Sequence, residues 1–456
     1  MYKKILIASL ALIAGLASCK KDDPTPSPNP PSTLTIDGVA STLEFYQLDT
    51  AHLSVAGVAK DAAAKAVWAV NGAKAAEGAT FDFTTAHPGK YEVTLTVDGK
   101  SAKQTYTVAP RFSEGAFLLN EGNFGNETGS LTYIHPSKKL VIDQAYYRVN
   151  GTKLGNVCQD LAFGNDQIYI LSQLGPKNGG EGLLTIARSN SLEKVKVYND
   201  EALAQSTPTH IAVLRDHIYI RTERDGILRG SSEGGFTPIT GTKKALKQRM
   251  AQIGERLFAL TSDSKVLMIQ GTQVVRELDL SPAKPSGIAV SHDGKLWVST
   301  TSPNAILKVD PTPDNFVALD THILDKSISA TGPESWQRTT SSAFFAHGDK
   351  LYFTGQSSVI YCHDFATSKT SQVIDVKTID GVGTSANMYY NSLGVDPSTG
   401  ELYYAAFEGY STYNKKNVTM VLKADGTKLL LKEKVNSFPA GFYFIPNAAS
   451  RTGANQ

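Results

Sequence analysis

The chain has 456 residues, with 45 Lys and Arg against 43 Asp and Glu and a formal charge of +2 at pH 7. That near balance leaves no basic footprint for nucleic acid, and three cysteines are too few for a disulfide framework. The length accommodates more than one domain.

In chain order, residues 1–18 carry two early lysines and then the apolar run from Ile5 to Leu16. Such a run is short for a bilayer span and has the shape of a secretory signal. It ends Leu16-Ala17-Ser18-Cys19, which looks like a lipobox. Cleavage before Cys19 and lipidation of its sulfur would anchor the chain to a membrane; an ordinary secretory signal is the alternative. Lys20-Lys21-Asp22-Asp23 then resembles the export signal that follows the lipid cysteine in surface lipoproteins of Bacteroidota. This implies an outer-membrane location facing the cell exterior, against the plainer reading of a tether facing the periplasm. Residues 19–33 form that tether, rich in proline from Pro24 to Ser32, and polyproline segments of this kind are extended and semi-rigid.

Residues 34–109 read as a small β-sandwich of the PKD or immunoglobulin-like kind. Trp68-Ala69-Val70 suggests a central strand with a buried Trp, and Tyr91-Glu92-Val93-Thr94-Leu95-Thr96-Val97 alternates with period two. No chemistry is assigned to it.

From 112 to 447 one pattern returns seven times. The runs are Phe117-Leu118-Leu119, Ile168-Tyr169-Ile170, Ile218-Tyr219-Ile220, Leu257-Phe258-Ala259, Leu296-Trp297-Val298, Leu351-Tyr352-Phe353 and Leu402-Tyr403-Tyr404, spaced 51, 50, 39, 39, 55 and 51 residues apart. A period of roughly 40–50 residues with four short strands per unit predicts a β-propeller. The clearest unit has Gly287–Val290 as innermost strand, a turn over Ser291–Lys295 containing Asp293-Gly294, and Leu296–Ser299 as second strand; Asp-Gly is a strong hairpin signal. The first unit lacks an innermost strand and the C-terminal Gly441–Pro446 is a spare one, so the ring is expected to close with that strand in the first blade. The fold class is therefore all-β: a seven-bladed propeller preceded by the small sandwich, with 448–456 as a disordered tail.

Loops from second to third strand and from one blade to the next share one face. They bring forward Asn120, Glu121, Asn123, Phe124, Gln159, Gln173, His210, Arg224, Trp336, Arg338, Tyr389 and Tyr390 as ligand-binding candidates. Phe124, Trp336, Tyr389 and Tyr390 would stack, and Asn120, Asn123 and Gln159 would orient polar edges. Planar amides and aromatic faces suit a large, flat, polar-edged ligand. Glu121, Asp160 and Glu223 lie nearest the axis without a spacing that places them on one ion. There is no His-Glu-x-x-His or P-loop, no resident cofactor or metal is implied, and no catalytic residue is assigned. Cys158 and Cys362 read as buried or half-buried, their pairing left open.

The stretch Phe117-Leu118-Leu119-Asn120-Glu121-Gly122-Asn123-Phe124-Gly125-Asn126, running to Gly129-Ser130-Leu131, resembles the opening of YncE-like propeller lipoproteins of Bacteroidota, the family that includes the cobalamin-binding BtuG lipoproteins. The resemblance covers the leader and the propeller. It implies a non-enzymatic surface receptor that captures a corrinoid and hands it to a TonB-dependent outer-membrane transporter. The alternatives are a surface module for polysaccharide or protein and, further off, a propeller lyase or lactonase.

Overall fold

The computed structural model describes residues 33–39, 44–328, 344–355, 357–388 and 393–446. Among these, contacts divide the chain into two compact units. One is built from the stretches up to residue 40, 52–82 and 92–105; the other comprises 41–51, 83–91 and everything from 106 onward.

The N-terminal stretch forms a three-stranded sheet of Thr35–Gly38, Thr50–Ala56 and Thr80–Thr84, and a five-stranded sheet to which Val67–Val70, Ala73–Glu77 and Gly89–Val97 belong. Trp68 is fully buried within the first unit. Its ring lies 5.6 Å from that of Phe81 and its Nε1 donates to Gly78 O at 2.9 Å, which satisfies the indole as burial requires.

The second unit contains seven four-stranded antiparallel sheets. All seven repeated runs are second strands of blades: Ala116–Asn120, Gln167–Gly175, His217–Thr222, Arg256–Leu260, Leu296–Thr301, Lys350–Phe353 and Leu402–Phe407. These strands read as continuous apolar runs because both faces are covered. In blade 2, Ile168 and Ile170 pack with Phe117, Leu119 and Tyr133 of blade 1. The intervening Tyr169 and Leu171 pack with Ile218 and Ile220 of blade 3. Each such side chain, fully buried, contributes about 1.5–3 kcal/mol. The expected turn in blade 5 is present: Ser291 N donates to Lys295 O at 2.8 Å, and Gly294 takes φ +74°, where a side chain would be strained.

The ring closes as the spare strand foretells. Pro439–Phe444 pairs antiparallel with Ala116–Asn120, Phe442 lying opposite Leu118. Side chains lock the seam. Ser437 N donates to Asn120 Oδ1 at 3.0 Å, Thr132 Oγ1 donates to Val435 O at 2.6 Å, and Glu127 Oε2 accepts from Ser437 Oγ at 2.7 Å and Tyr413 OH at 3.0 Å. Closure removes an exposed radial edge. Cys158 and Cys362 are both buried and free.

One seam between blades should respond to pH. His322 Nδ1, on the fourth strand of blade 5 (Ala318–Ile323), lies 2.9 Å from His363 Nε2 on the third strand of blade 6 (Val359–Asp364). The His322 ring stacks on Phe365, with centroids 3.7 Å apart and planes 7° off parallel. One nitrogen must donate and the other accept, so the contact needs at least one neutral ring. Burial, and then His322, push the His363 pKa down. A histidine whose folded pKa is depressed adds stability above its unfolded value near 6.5 and loses it as pH falls through the folded value. The melting temperature should therefore drop between pH 7 and pH 5, and the drop should shrink in His363→Asn. Equal pH slopes for the two proteins in thermal melts would rule the pair out as the source.

Candidate functional site

The described second-to-third loops and connections between blades open on one face. The structure places the sequence-derived candidates there in three environments. Asn120 and Gln159 are buried and spend their amides inside the wall. Asn120 Nδ2 donates to Ser130 Oγ and Thr132 Oγ1, each at 3.2 Å, while Gln159 Nε2 donates to Glu121 Oε1 at 3.0 Å. His210 is fully buried, with Nδ1 3.2 Å from Thr209 Oγ1. Asn123 caps its own loop, its Oδ1 accepting from Gly125 N at 2.8 Å. Gln173 is half-buried and Arg224 exposed. Phe124 is 65% exposed and carries Lys177 Nζ 3.5 Å over its ring centroid, a cation–π contact. Cys19, Trp336, Arg338, Tyr389 and Tyr390 lie outside the described residues. The fourth strand of blade 5 runs on through Thr321, His322 and Ile323.

What converges on this face is an aromatic cluster where blades 7 and 1 meet. Phe438 stands at its centre: Tyr413 lies 4.5 Å away, Phe407 5.2 Å, and Tyr410 stacks on it at 5.8 Å. Tyr410 is 45% exposed. Burial and then the nearby Glu121 carboxylate raise its phenol pKa, so the ring and the carboxylate sense each other. Burial and Glu127 push Tyr413 up to about 12. Glu121 is held in turn: its N donates to Phe438 O at 2.8 Å, and its carbonyl accepts from Cys158 N at 3.2 Å. Beside it, Gln159 Oε1 is buried and has no hydrogen-bond partner among the described residues. A buried acceptor left unmade costs free energy.

Sequence reasoning missed Phe438. It precedes the spare strand, outside any alternating run, and joins Tyr410 only when the ring closes. Gly230-Ser231-Ser232-Glu233-Gly234 carries the letters of a nucleophile elbow, a motif that sequence reasoning had set aside as absent. An elbow needs a strand-to-helix turn, and Ser232 sits between the strands Gly226–Ser231 and Gly234–Pro238.

The three acids nearest the axis do not share a site. Glu121 goes to Gln159, and Glu223 Oε2 pairs with Arg221 Nη1 at 3.1 Å. Asp160 is buried, accepting from Tyr443 OH at 2.7 Å and Ile211 N at 2.9 Å, with Arg249 Nε 3.6 Å away. Among the described residues, no group of three or more His, Cys, Asp or Glu could hold a metal ion. Arg249 enters from the start of blade 4, yet its guanidinium lies 4.2 Å over the Tyr443 ring of blade 1. Blades 4 and 1 stand three places apart in a ring of seven, so this side chain crosses the axis.

Residues 114–446 match the family described as a domain of unknown function, DUF5074. No curated protein matches the sequence. Among solved structures, a quinonprotein alcohol dehydrogenase-like protein from Bacteroides thetaiotaomicron superposes with a TM-score of 0.57 at 15% identity, over 92% of this chain and 98% of that one. A functionally unknown protein from Desulfotomaculum acetoxidans gives 0.46 at 13% identity, over 73% and 99% of the two chains. Virginiamycin B lyase from Staphylococcus aureus gives 0.40 at 12% identity, over 60% and 83%. Likeness at these identities speaks to fold alone.

Proposed function

The chain belongs to the DUF5074 family, and from that premise we propose that it is a lipid-anchored outer-membrane binding protein rather than an enzyme. It captures a corrinoid or a similarly large, planar, amide-edged ligand on the face where blades 7, 1 and 2 meet, and passes it to a TonB-dependent transporter. The observation that carries this reading is the half-exposed Tyr410, stacked on Phe438 beside the unpartnered Gln159 Oε1. A ring face offers area to an apolar, flat ligand core, and the amide oxygen takes a donor from a polar edge. The loops are tied to the blades by side-chain hydrogen bonds, so little ordering entropy is lost on capture and affinity can be high for a modest contact area. The Cys19 lipobox and the Lys20-Lys21-Asp22-Asp23 signal support the surface location, and the likeness of the blade-1 opening to YncE-like lipoproteins supports the corrinoid.

Calorimetric titration of the chain from Ser32 onward with cyanocobalamin, and separately with cobinamide, tests the reading. The expected result is tight one-to-one binding of at least one of them. An absence of heat together with an unshifted melting temperature for both would remove the corrinoid.

A further inference from the structure

The aromatic face is electrically polarised across the axis. On the side of blades 7 and 1, Glu121 lies by Tyr410 and Glu127 by Tyr413. On the opposite side, the second-to-third loop of blade 3 (223–225) and the connections entering blade 4 (239–250) and blade 5 (280–284) carry Arg224, Lys243, Lys244, Lys247, Arg249 and Lys284. The acids of this sector are Glu223, Asp225 and, in the second-to-third loop of blade 4, Asp263, and all three are engaged. Glu223 pairs with Arg221, Asp263 Oδ2 lies 3.0 Å from Lys244 Nζ, and Asp225 Oδ2 accepts from Ser206 Oγ at 2.5 Å. Arg249 faces Asp160. Arg224, Lys243 and Lys284 are exposed and form no ion pair among the described residues. The backbone beneath two of them is fixed: Thr301 N donates to Lys284 O at 3.0 Å, and Arg224 N donates to Ser206 O at 3.3 Å.

One ligand can meet both sides. Arg249 reaches from the entry of blade 4 to the Tyr443 ring of blade 1. Its neighbour Gln248 donates from Nε2 to Ser286 O of blade 5, two residues past Lys284. Two adjacent side chains thus link blades 1, 4 and 5 across the axis, and a large ligand rests over them. We propose that the captured ligand bears an anionic group, held over blades 3 to 5 while its flat core lies on Tyr410. This rests on the corrinoid reading and narrows it to corrinoids that keep the phosphodiester of their nucleotide loop. The amide edge of a corrin supplies donors toward Gln159 and Glu121, but a corrinoid stripped of its nucleotide offers nothing to Arg224, Lys243 and Lys284. A phosphodiester places one permanent negative charge at the end of an arm, and its oxygens accept charge-assisted bonds from lysine and arginine. Because these cations are exposed, each adds a modest, salt-sensitive factor.

The test titrates the full-length protein in detergent with cyanocobalamin and with cobinamide, which lacks the phosphate and the base, at low salt and at about 0.5 M NaCl, where screening reaches only a few ångströms. Cyanocobalamin should bind about tenfold more tightly or better at low salt, and high salt should reduce that advantage severalfold. The double variant Arg224→Glu with Lys284→Glu should weaken cyanocobalamin about tenfold or more and leave cobinamide within about twofold. Both positions are exposed, so the fold is kept, and an unchanged melting temperature verifies it. The salt response and the variant assign the preference to the charge, since the missing base would change neither. Equal affinity for the two corrinoids, or a double variant that weakens both alike or neither, overturns this inference and leaves the corrinoid reading standing. Absence of binding by both corrinoids overturns the reading, and this inference with it.

Discussion

Arg249→Ala should destabilise the propeller by about 3 kcal/mol, the low end of what removing one partner from a buried ion pair costs. Arg249 is the cation facing Asp160, whose carboxyl burial pushes up despite the pull of Arg249 and the hydrogen bonds it accepts. Without the guanidinium that carboxylate stays buried beside Tyr443, and its pKa rises further. The sign then follows. An acid with a raised folded pKa stabilises below its unfolded value near 3.9 and loses that contribution as pH rises through the folded value. The deficit of Arg249→Ala against the parent should thus be larger at pH 8 than at pH 4. Gly441 supplies a second handle. It has φ +146°, and a Cβ there would lie 1.9 Å from Arg249 Nη2, so Gly441→Ala brings both backbone strain and a clash. The clash disappears once Arg249 is Ala, and the double variant should lose clearly less than the sum of the two single losses. Urea unfolding midpoints of the four proteins measure this. Strict additivity, or an Arg249→Ala midpoint equal to the parent's, would show that the crossing arginine carries no such weight.

The blades were legible in the sequence because their cause is local. A strand covered on both faces must be apolar at every position, as Ile168-Tyr169-Ile170-Leu171 is, and in blade 5 the Asp293-Gly294 turn marks the entry to the second strand. Closure was legible for a bookkeeping reason: one unit lacked an innermost strand and the C-terminus had one over. The site was less legible because its residues meet only through that closure. Phe438 and Tyr410 arrive from the two sides of blade 7, and Arg249 reaches Tyr443 from nearly two hundred residues away. No periodicity in the stretch before Ala251 distinguishes this arginine from a solvated one. Residue type misled in a physically instructive way. An amide suits a ligand's edge and equally suits a backbone seam, and Asn120 serves the seam, holding Ser437 N. Its neighbour Gln159 has the same chemistry and keeps one oxygen unmatched. Only the count of partners separates the two, and that count exists in three dimensions alone.

Tyr410→Ala and Gln159→Met together should weaken ligand capture on the aromatic face by a hundredfold or more, about 2.8 kcal/mol at about 1.4 kcal/mol per tenfold. The two losses have different origins. Tyr410 is half-exposed, so truncating it removes stacking area of the kind worth about 0.5–1.5 kcal/mol beyond simple burial while disturbing little of the fold. Gln159→Met nearly preserves side-chain volume and deletes the oxygen that awaits a donor. A ligand N–H that satisfied this oxygen is then left unpaired in a desolvated place, which costs about 1–3 kcal/mol. The order of the effects discriminates between ligand classes. A ligand held by its amide edge loses more with Gln159→Met, whereas one held by its apolar plane loses more with Tyr410→Ala. Glu121 supplies the control, because Gln159→Met also removes the donor to its Oε1. A Gln159→Glu protein keeps an acceptor at this position but sets two carboxylates together, so its affinity should recover as pH falls and one of them is protonated. Calorimetry on the double variant and the three single variants at pH 5 and pH 8 separates these cases. If binding is undiminished in both the Tyr410→Ala and the Gln159→Met proteins, the ligand does not bind on this face.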